Sequence, residues 1–524
     1  MNAACRTTPL TFDADALPVE DTRAIWQARA ISLLVVLGAV RLAIVSVLPL
    51  SDGETYYFMW SRFPAWSYYD HPPMIAWLSW LTSLGSHTAF AARVMPVLAA
   101  EVAGGLIYAL GAKIFSPRAG FFALIIISVL PVFFVTSLVL NPEAALAPAW
   151  VLALLILWTM RDRTEAWWPL LLGGVIGAAF LCKYTGVLLV PVTVLYFASS
   201  PVARHWLRRP AFYLGGAVAL LVVSPVIGWN IAHGWPSLKL HLVERVAIEE
   251  VSVWHNAVRV AIGQLGSFHP VLFPFLLAAL GVTLVRGFKD ERYRFLSIAT
   301  WPVLLFLISA MVKVPDSESH WTMVGFIAVG IAAGGWVDGF IDHGPAWFRW
   351  YLRVGVVTAV IAFIGGYVQS SSSLIVAHLP AASYDGSKDV TTEFFGWDEV
   401  KQAIDREAAA LGPNAVIAST QYSLCAHLMF ALDDRPQVYC PSVRRTEFDF
   451  IDRHVPPAEA PVLFVNNDHY PDSPDALMEG RNCEPLQTVT VDRGGKAVQH
   501  YHLFACQPRS RPTELTQTAG FANE

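Results

Sequence analysis

Long apolar runs alternate with short polar breaks from about residue 31 to residue 370, and there the alternation stops. Runs near 31–50, 90–112, 119–140, 144–160, 167–182, 186–199, 211–228, 259–285, 295–312, 322–341 and 354–370 are read as eleven membrane-spanning helices. The scale for that reading is the bilayer, whose hydrocarbon core takes about 20 predominantly apolar residues to cross. Ile75 to Leu84 is apolar but too short to span, and is expected to lie along the interface. Past residue 371 charge rises and shorter periods take over. Trp397 to Leu411 and Tyr422 to Leu432 have helical spacing. Ala415 to Ser419, Val462 to Val465, Thr488 to Val491 and His500 to Ala505 read as strands. The predicted fold is a polytopic α-helical membrane protein with a small C-terminal α/β domain. It divides into an N-terminal segment 1–30, a spanning domain 31–370 and the tail domain 371–524.

Composition agrees with a membrane solvent. The chain is 55% hydrophobic and 15% charged, where globular domains carry about 25% charge. Mean hydropathy is +0.47. The 19 tryptophans suit helix ends at a membrane–water boundary. A net charge of −5 argues against a nucleic-acid partner. Asp13, Asp15, Glu20 and Asp21 lack the basic-then-apolar layout of a cleaved signal, so the first run is expected to be a retained helix.

Basic residues gather in alternate breaks: Arg23 and Arg29, Arg118, Arg161 and Arg163, Arg204, Arg208 and Arg209, Arg286, Lys289, Arg292 and Arg294, then Arg349 and Arg353. The positive-inside rule makes that side cytoplasmic. The other loops and everything after the last span then face outward. Four of the six cysteines, Cys425, Cys440, Cys483 and Cys506, fall in that outward tail. An oxidising compartment would pair them as two disulfides in one of three connectivities; buried free thiols are the alternative.

The outward loops hold the distinctive chemistry: 51–89, 140–145, 182–186, 228–258 and 313–321. The first reads Ser51-Asp-Gly-Glu-Thr-Tyr-Tyr-Phe-Met-Trp-Ser-Arg62 and continues to Tyr69-Asp-His-Pro-Pro73. It sets carboxylates, rings, Arg62 and His71 beside an apolar run, as a binder of a charged, ring-shaped substrate at a membrane surface would. The later loops add Asn141-Pro-Glu143, Lys183-Tyr-Thr-Gly186, Gly228-Trp-Asn230 with Glu244-Arg245, and His320-Trp321. Charge near a bilayer persists best where it is paired or used.

In this order the motifs resemble those of the GT-C type glycosyltransferases that depend on polyprenyl phosphate, among them bacterial relatives of protein O-mannosyltransferases and of lipid A aminoarabinose transferases. Glu54-Thr-Tyr-Tyr57 looks like that family's Asp-Glu-Ala-Tyr-Tyr segment, with Gly53 at the usual Asp position and Asp52 one residue earlier. The resemblance implies transfer of a sugar from a polyprenyl-phosphate-linked donor to a lipid, glycan or protein acceptor. It places the protein among the lipids of a bacterial inner membrane, with the C-terminal domain periplasmic. Glu54 and Asp52 are the candidate bases. Lys183, Arg245, His71 and His320 are candidate phosphate ligands, and Arg62, Asp70, Glu143, Tyr57 and Trp321 complete the substrate-binding set. Asp70, Glu143 and His71 carry donor types for a divalent metal, without compact ligand spacing, so a metal cofactor is left open.

Each residue also has a plainer role. The rings could form an interfacial belt. Asp52 could cap a helix and Glu54 could compensate its dipole. Lys183 and Arg245 could snorkel to headgroups. A carrier that flips lipid-linked sugars is the competing function. Carriers show internal repeats and polar sites at the midplane of their spans, and neither is evident here.

Overall fold

The computed structural model describes residues 19–245, 252–315, 317–380, 384–478 and 480–509. The expected acidic positions Asp13 and Asp15 lie outside these residues, as do part of the 228–258 loop and the last residues of the tail. The spanning region contains α1 (Val19–Val45), α2 (Asp52–Trp60), α3 (Met74–Ser83), α4 (Ala89–Ile114), α5 (Pro117–Ser128), α6 (Pro131–Thr136), α7 (Pro142–Met160) and α8 (Trp167–Cys182). It continues with α9 (Leu189–Ser199), α10 (Pro210–Ala232), α11 (Pro236–Lys239), α12 (Val253–Ser267), α13 (Phe273–Gly287), α14 (Glu291–Lys313), α15 (Met323–Phe340) and α16 (Ala346–Ser371). Among the described residues seven helices are long and apolar enough to cross a membrane: α1, α4, α7, α10, α14, α15 with the turn before it, and α16. α5, α8, α13 and the stretch 184–199 are apolar but shorter.

Two of the expected spans are broken helices. The run 119–140 divides into α5 and α6 at Pro131, which sits at the start of a helix where its missing N–H costs nothing. The run 259–285 divides into α12 and α13 around His269, whose φ of +69° ends the first helix. The residue after it is Pro270, which disfavours helical geometry at His269. Neither break shows in hydropathy, because the residues around it remain apolar.

One end of the bundle is tied by Arg118 and by polar contacts. Arg118 pairs with Asp338 and with Asp342, Ser200 bonds Glu291, and Trp206 donates to the Met160 carbonyl at 3.0 Å. The opposite end carries α2, α3, the turn after α8 and a π-helical turn at Leu240–Glu244.

The C-terminal domain contains α17 (Leu374–His378), α18 (Trp397–Leu411), β1 (Val416–Ala418), α19 (Tyr422–Ala431), β2 (Val438–Tyr439), β3 (Val462–Asn467), β4 (Arg481–Asp492) and β5 (Ala497–Pro508). The sheet order is β2-β1-β3-β5-β4. β1 runs parallel to β2 and β3, while β5 is antiparallel to β3 and β4. β3 is buried along its whole length, and its first four residues, Val462 to Val465, are an unbroken apolar run. Disulfides join Cys425 to Cys440 and Cys483 to Cys506, one of the three open pairings.

This domain sits on the first loop rather than beside the bundle. α19 packs on α2, with the Tyr56 and Tyr422 rings 4.6 Å apart and Phe58 and Phe430 6.0 Å apart. Tyr69 stacks on Phe450 at 5.7 Å.

Candidate active site

A cavity of about 1040 Å³ opens where the loop end of the bundle meets the C-terminal domain. One wall is apolar, from Pro131, Val132, Val135 and Val139. The facing walls carry Tyr56, Tyr57, Asp70, His71, Lys183, His241, Arg245, His320, Trp321, Tyr422 and Arg444. An apolar wall leading to a polar, charged end is the shape of a site for an amphipathic ligand.

The first loop supplies two acidic turns. Ser51 caps α2 and forms a capping box with Glu54. Glu54 Oε2 accepts from the Ser51 N–H and hydroxyl, at 3.0 and 3.1 Å. Arg93 of α4 reaches it with two donors, Nε to Oε1 at 2.7 Å and Nη2 to Oε2 at 2.5 Å. The Leu140 N–H adds a bond to Oε1 at 3.0 Å. Arg93 also donates to the Leu48 and Pro49 carbonyls at 2.7 and 2.8 Å. Both partners are buried, and the pair pins α2, α4 and the Leu140 turn together. Glu54 borders the cavity, yet both its oxygens are engaged.

Asp52 points away from the cavity, toward the C-terminal domain. His427 Nδ1 lies 2.6 Å from its Oδ1, and the His427 ring stacks on Trp397 at 3.5 Å. Glu393 Oε2 accepts the Asp52 N–H at 3.1 Å. Burial, with Asp52 nearby, pushes the Glu393 carboxyl up to about 7. Gly53 has open space where a Cβ would stand, so close packing does not require glycine there.

The second turn is built differently. Tyr56 donates its hydroxyl proton to Asp70 Oδ2 at 2.6 Å and accepts from the Glu447 N–H at 3.0 Å. Glu447 Oε2 accepts the Tyr69 N–H at 2.7 Å. His241 Nε2 donates to the Asp70 carbonyl at 2.8 Å. Only a long 3.5 Å approach from Arg444 reaches Asp70 Oδ1, so that oxygen is left for the cavity. Burial pushes the Asp70 carboxyl above its ordinary range, against the opposing pull of Tyr56, Arg444 and Arg245. Burial, then Lys183, holds His71 well below its ordinary value, and His241 is lowered to about 4 by burial and Arg245. Both imidazoles are therefore neutral near pH 7. His71 Nδ1 is buried without a protein partner.

The other loops gather at the same cavity. Glu143 enters at the first turn of α7, joined to Lys183 Nζ and 3.0 Å from His320 Nε2. His320 also meets Glu318 at 3.1 Å. Lys183 lies 5.7 Å from the Trp321 ring centre. Arg245 lines the cavity just after the π-helical turn. Arg62 is elsewhere, 3.3 Å from Asp433 and outside the lining. Among the described residues no three His, Cys, Asp or Glu side chains are grouped to hold a metal ion, so Asp70, Glu143 and His71 do not form a ligand set. Arg93, Tyr422 and Arg444 were not singled out by sequence. Only Arg93 left a signal, as an arginine inside an apolar run, where charge calls for a partner.

Comparison with known proteins matches this picture. Residues 70–229 fit the model of the dolichyl-phosphate-mannose-protein mannosyltransferase family. The fold is that of ArnT from Cupriavidus metallidurans, at TM-score 0.57 and 17% identity, covering 92% of this chain and 98% of that one. A second ArnT structure from that organism, bound to undecaprenyl phosphate, gives TM-score 0.57 and 18% identity over the same 92% and 98%. The lipid A galacturonosyltransferase RgtD of Rhizobium johnstonii (strain DSM 114642 / LMG 32736 / 3841) is 27% identical over 289 residues, 53% of this chain. The match spans 59% of that curated relative's length. The fold is of the GT-C type, and seven of the described helices are long and apolar enough to cross a membrane. In sequence, parts of the chain are similar to RgtD and to the protein mannosyltransferases.

Proposed function

We propose that this protein is a membrane glycosyltransferase that moves a sugar from a polyprenyl-phosphate donor to an acceptor hydroxyl on the periplasmic face. The observation that carries the reading is the cavity itself. It joins an apolar wall, suited to a prenyl chain, to a charged end where Asp70 presents one free carboxylate oxygen. The periplasmic assignment rests on the basic residues at the opposite end of the bundle.

The acceptor oxygen attacks C1 of the sugar. The bond from C1 to the phosphate oxygen breaks, and its electron pair stays on the phosphate. The acceptor proton passes to Asp70. A carboxyl lifted by burial is the stronger base for that transfer. Tyr56 holds the other oxygen and so fixes the direction of the free one.

Lys183 and Arg245 take the phosphate. An ammonium has three donors, so its bond to Glu143 leaves others for the ligand. Arg245 supplies a planar fork for two phosphate oxygens. Charge building on the departing phosphate is stabilised by these fixed cations in a partly desolvated site. Neutral His71 supplies a hydrogen bond without adding charge.

Because a lipid A galacturonosyltransferase is among the relatives, a galacturonosyl donor and a lipid A acceptor are the first pair to test. The full chain in nanodiscs should release polyprenyl phosphate and add one sugar mass to the acceptor. In proteoliposomes, donor that crosses the bilayer with no transfer to any lipid, glycan or protein acceptor would install the carrier reading instead.

A further inference from the structure

Two arginines face the cavity with guanidinium groups largely uncommitted. Arg245 has no ion-pair partner among the described residues. Arg444, in the loop after β2, makes one long contact of 3.5 Å to Asp70 Oδ1, and its side chain is 53% exposed. It lies 6.0 Å from the centre of the Tyr422 ring, and Tyr422 opens α19. Both residues belong to the C-terminal domain, so one wall of the cavity comes from outside the bundle.

Charge assigns this wall a job. A polyprenyl-phosphate sugar is a phosphodiester and carries one negative charge at its linkage. Lys183 and Arg245 already oppose that charge from the bundle side. Arg444 approaches Asp70, and the base must stand beside C1, so the guanidinium reaches the sugar rather than the prenyl chain. A cation beside a sugar, next to an aromatic face, is matched by an acidic sugar.

We infer that Tyr422 and Arg444 form a sugar subsite that selects donors whose sugar bears a carboxylate, a deepening that rests on the transferase reading above. The ring face of Tyr422 takes the apolar C–H face of the sugar. The Arg444 fork takes both carboxylate oxygens, a geometry that an ammonium cannot reproduce. Drawn onto the sugar, Arg444 also gives up part of its hold on Asp70, which leaves the base more basic when the correct donor is bound.

The test uses the full chain in nanodiscs with two donors on the same prenyl phosphate, one hexuronosyl and one the matching neutral hexosyl. The wild type should favour the hexuronosyl donor in kcat/KM. In Arg444→Ala the ratio between donors should fall at least about tenfold, the size expected when hydrogen bonds to a charged group are lost. Arg444→Lys should keep part of the ratio. Donor binding without acceptor should show the same order. An unchanged ratio in Arg444→Ala, or an equal fall with both donors, would overturn the subsite and leave Arg444 as a neighbour of Asp70 alone. Equal binding of both donors by the wild type would overturn it too. Failure of the wild type to transfer either sugar, with selective donor binding intact, would instead remove the transferase reading and spare the subsite.

Discussion

The two acidic turns of the first loop, at Glu54 and Asp70, are 16 residues apart and are held differently. At Glu54 both carboxylate oxygens are consumed by Ser51, Arg93 and the Leu140 N–H. At Asp70 one oxygen is held by Tyr56 and the other faces the cavity. A base needs an accessible lone pair, and a strut needs none. On the proposed assignment, an acidic residue's place in a motif says less about proton transfer than the number of donors already spent on it.

The largest expected effect breaks the comparison at its open side. Asp70→Asn keeps size and removes the basic charge, so turnover should fall by ~10²–10⁴-fold with the melting transition unchanged. Steady-state turnover and a thermal melt on the same preparation check it. Near-normal turnover would return the base role to the first turn.

Glu54→Gln attacks the closed side. It leaves Arg93 buried without its counter-charge, and breaking such a pair costs roughly 3–5 kcal/mol of stability. Turnover per folded molecule should be kept. A variant that melts like the wild type but does not turn over would make Glu54 the base and Asp70 a spectator.

A smaller effect sharpens the contrast. Tyr56→Phe removes the hydrogen bond that orients Asp70, and such bonds to charged groups are worth about 1.5–3 kcal/mol. Turnover should drop at least tenfold, and the acid limb of the pH profile should move up, because Tyr56 lowers the Asp70 carboxyl. A profile that keeps its position would mean that Tyr56 only packs.

The smallest effect concerns Glu393 behind the first turn. Its folded carboxyl titrates near 7, raised from an ordinary value near 4.5. Its contribution to stability is fully present below the ordinary value and is lost as pH rises through about 7. Melting temperature should therefore fall by a few degrees between these limits, and Glu393→Gln should flatten the slope. A slope that survives the substitution assigns the pH dependence to another group.

The sequence made local patterns visible and distant partners invisible. Trp397 to Leu411 alternates on the helical period, and β3 opens with a short apolar run, Val462 to Val465, so both elements stood out. The helix breaks at Pro131 and His269 did not, since hydropathy averages across them. Glu143, Lys183 and His320 could be proposed together because each stands in a recurring loop motif. Ranking Asp70 above Glu54 required knowing where Arg93 ends up, 39 residues along the chain. Tyr422 and Arg444 carried no sign of the cavity, because that depends on how a separate domain docks.

The docking also sets a clock. The Tyr69 N–H donates its hydrogen bond to Glu447, 378 residues downstream. At ordinary synthesis rates that separation is roughly 20–80 s of elongation. For that interval Asp70 is already made, while Tyr422, Arg444 and Glu447 do not yet exist. On the proposed assignment a half-made chain therefore holds the base with no complete pocket around it, and the cavity is closed only once the C-terminal domain has been made.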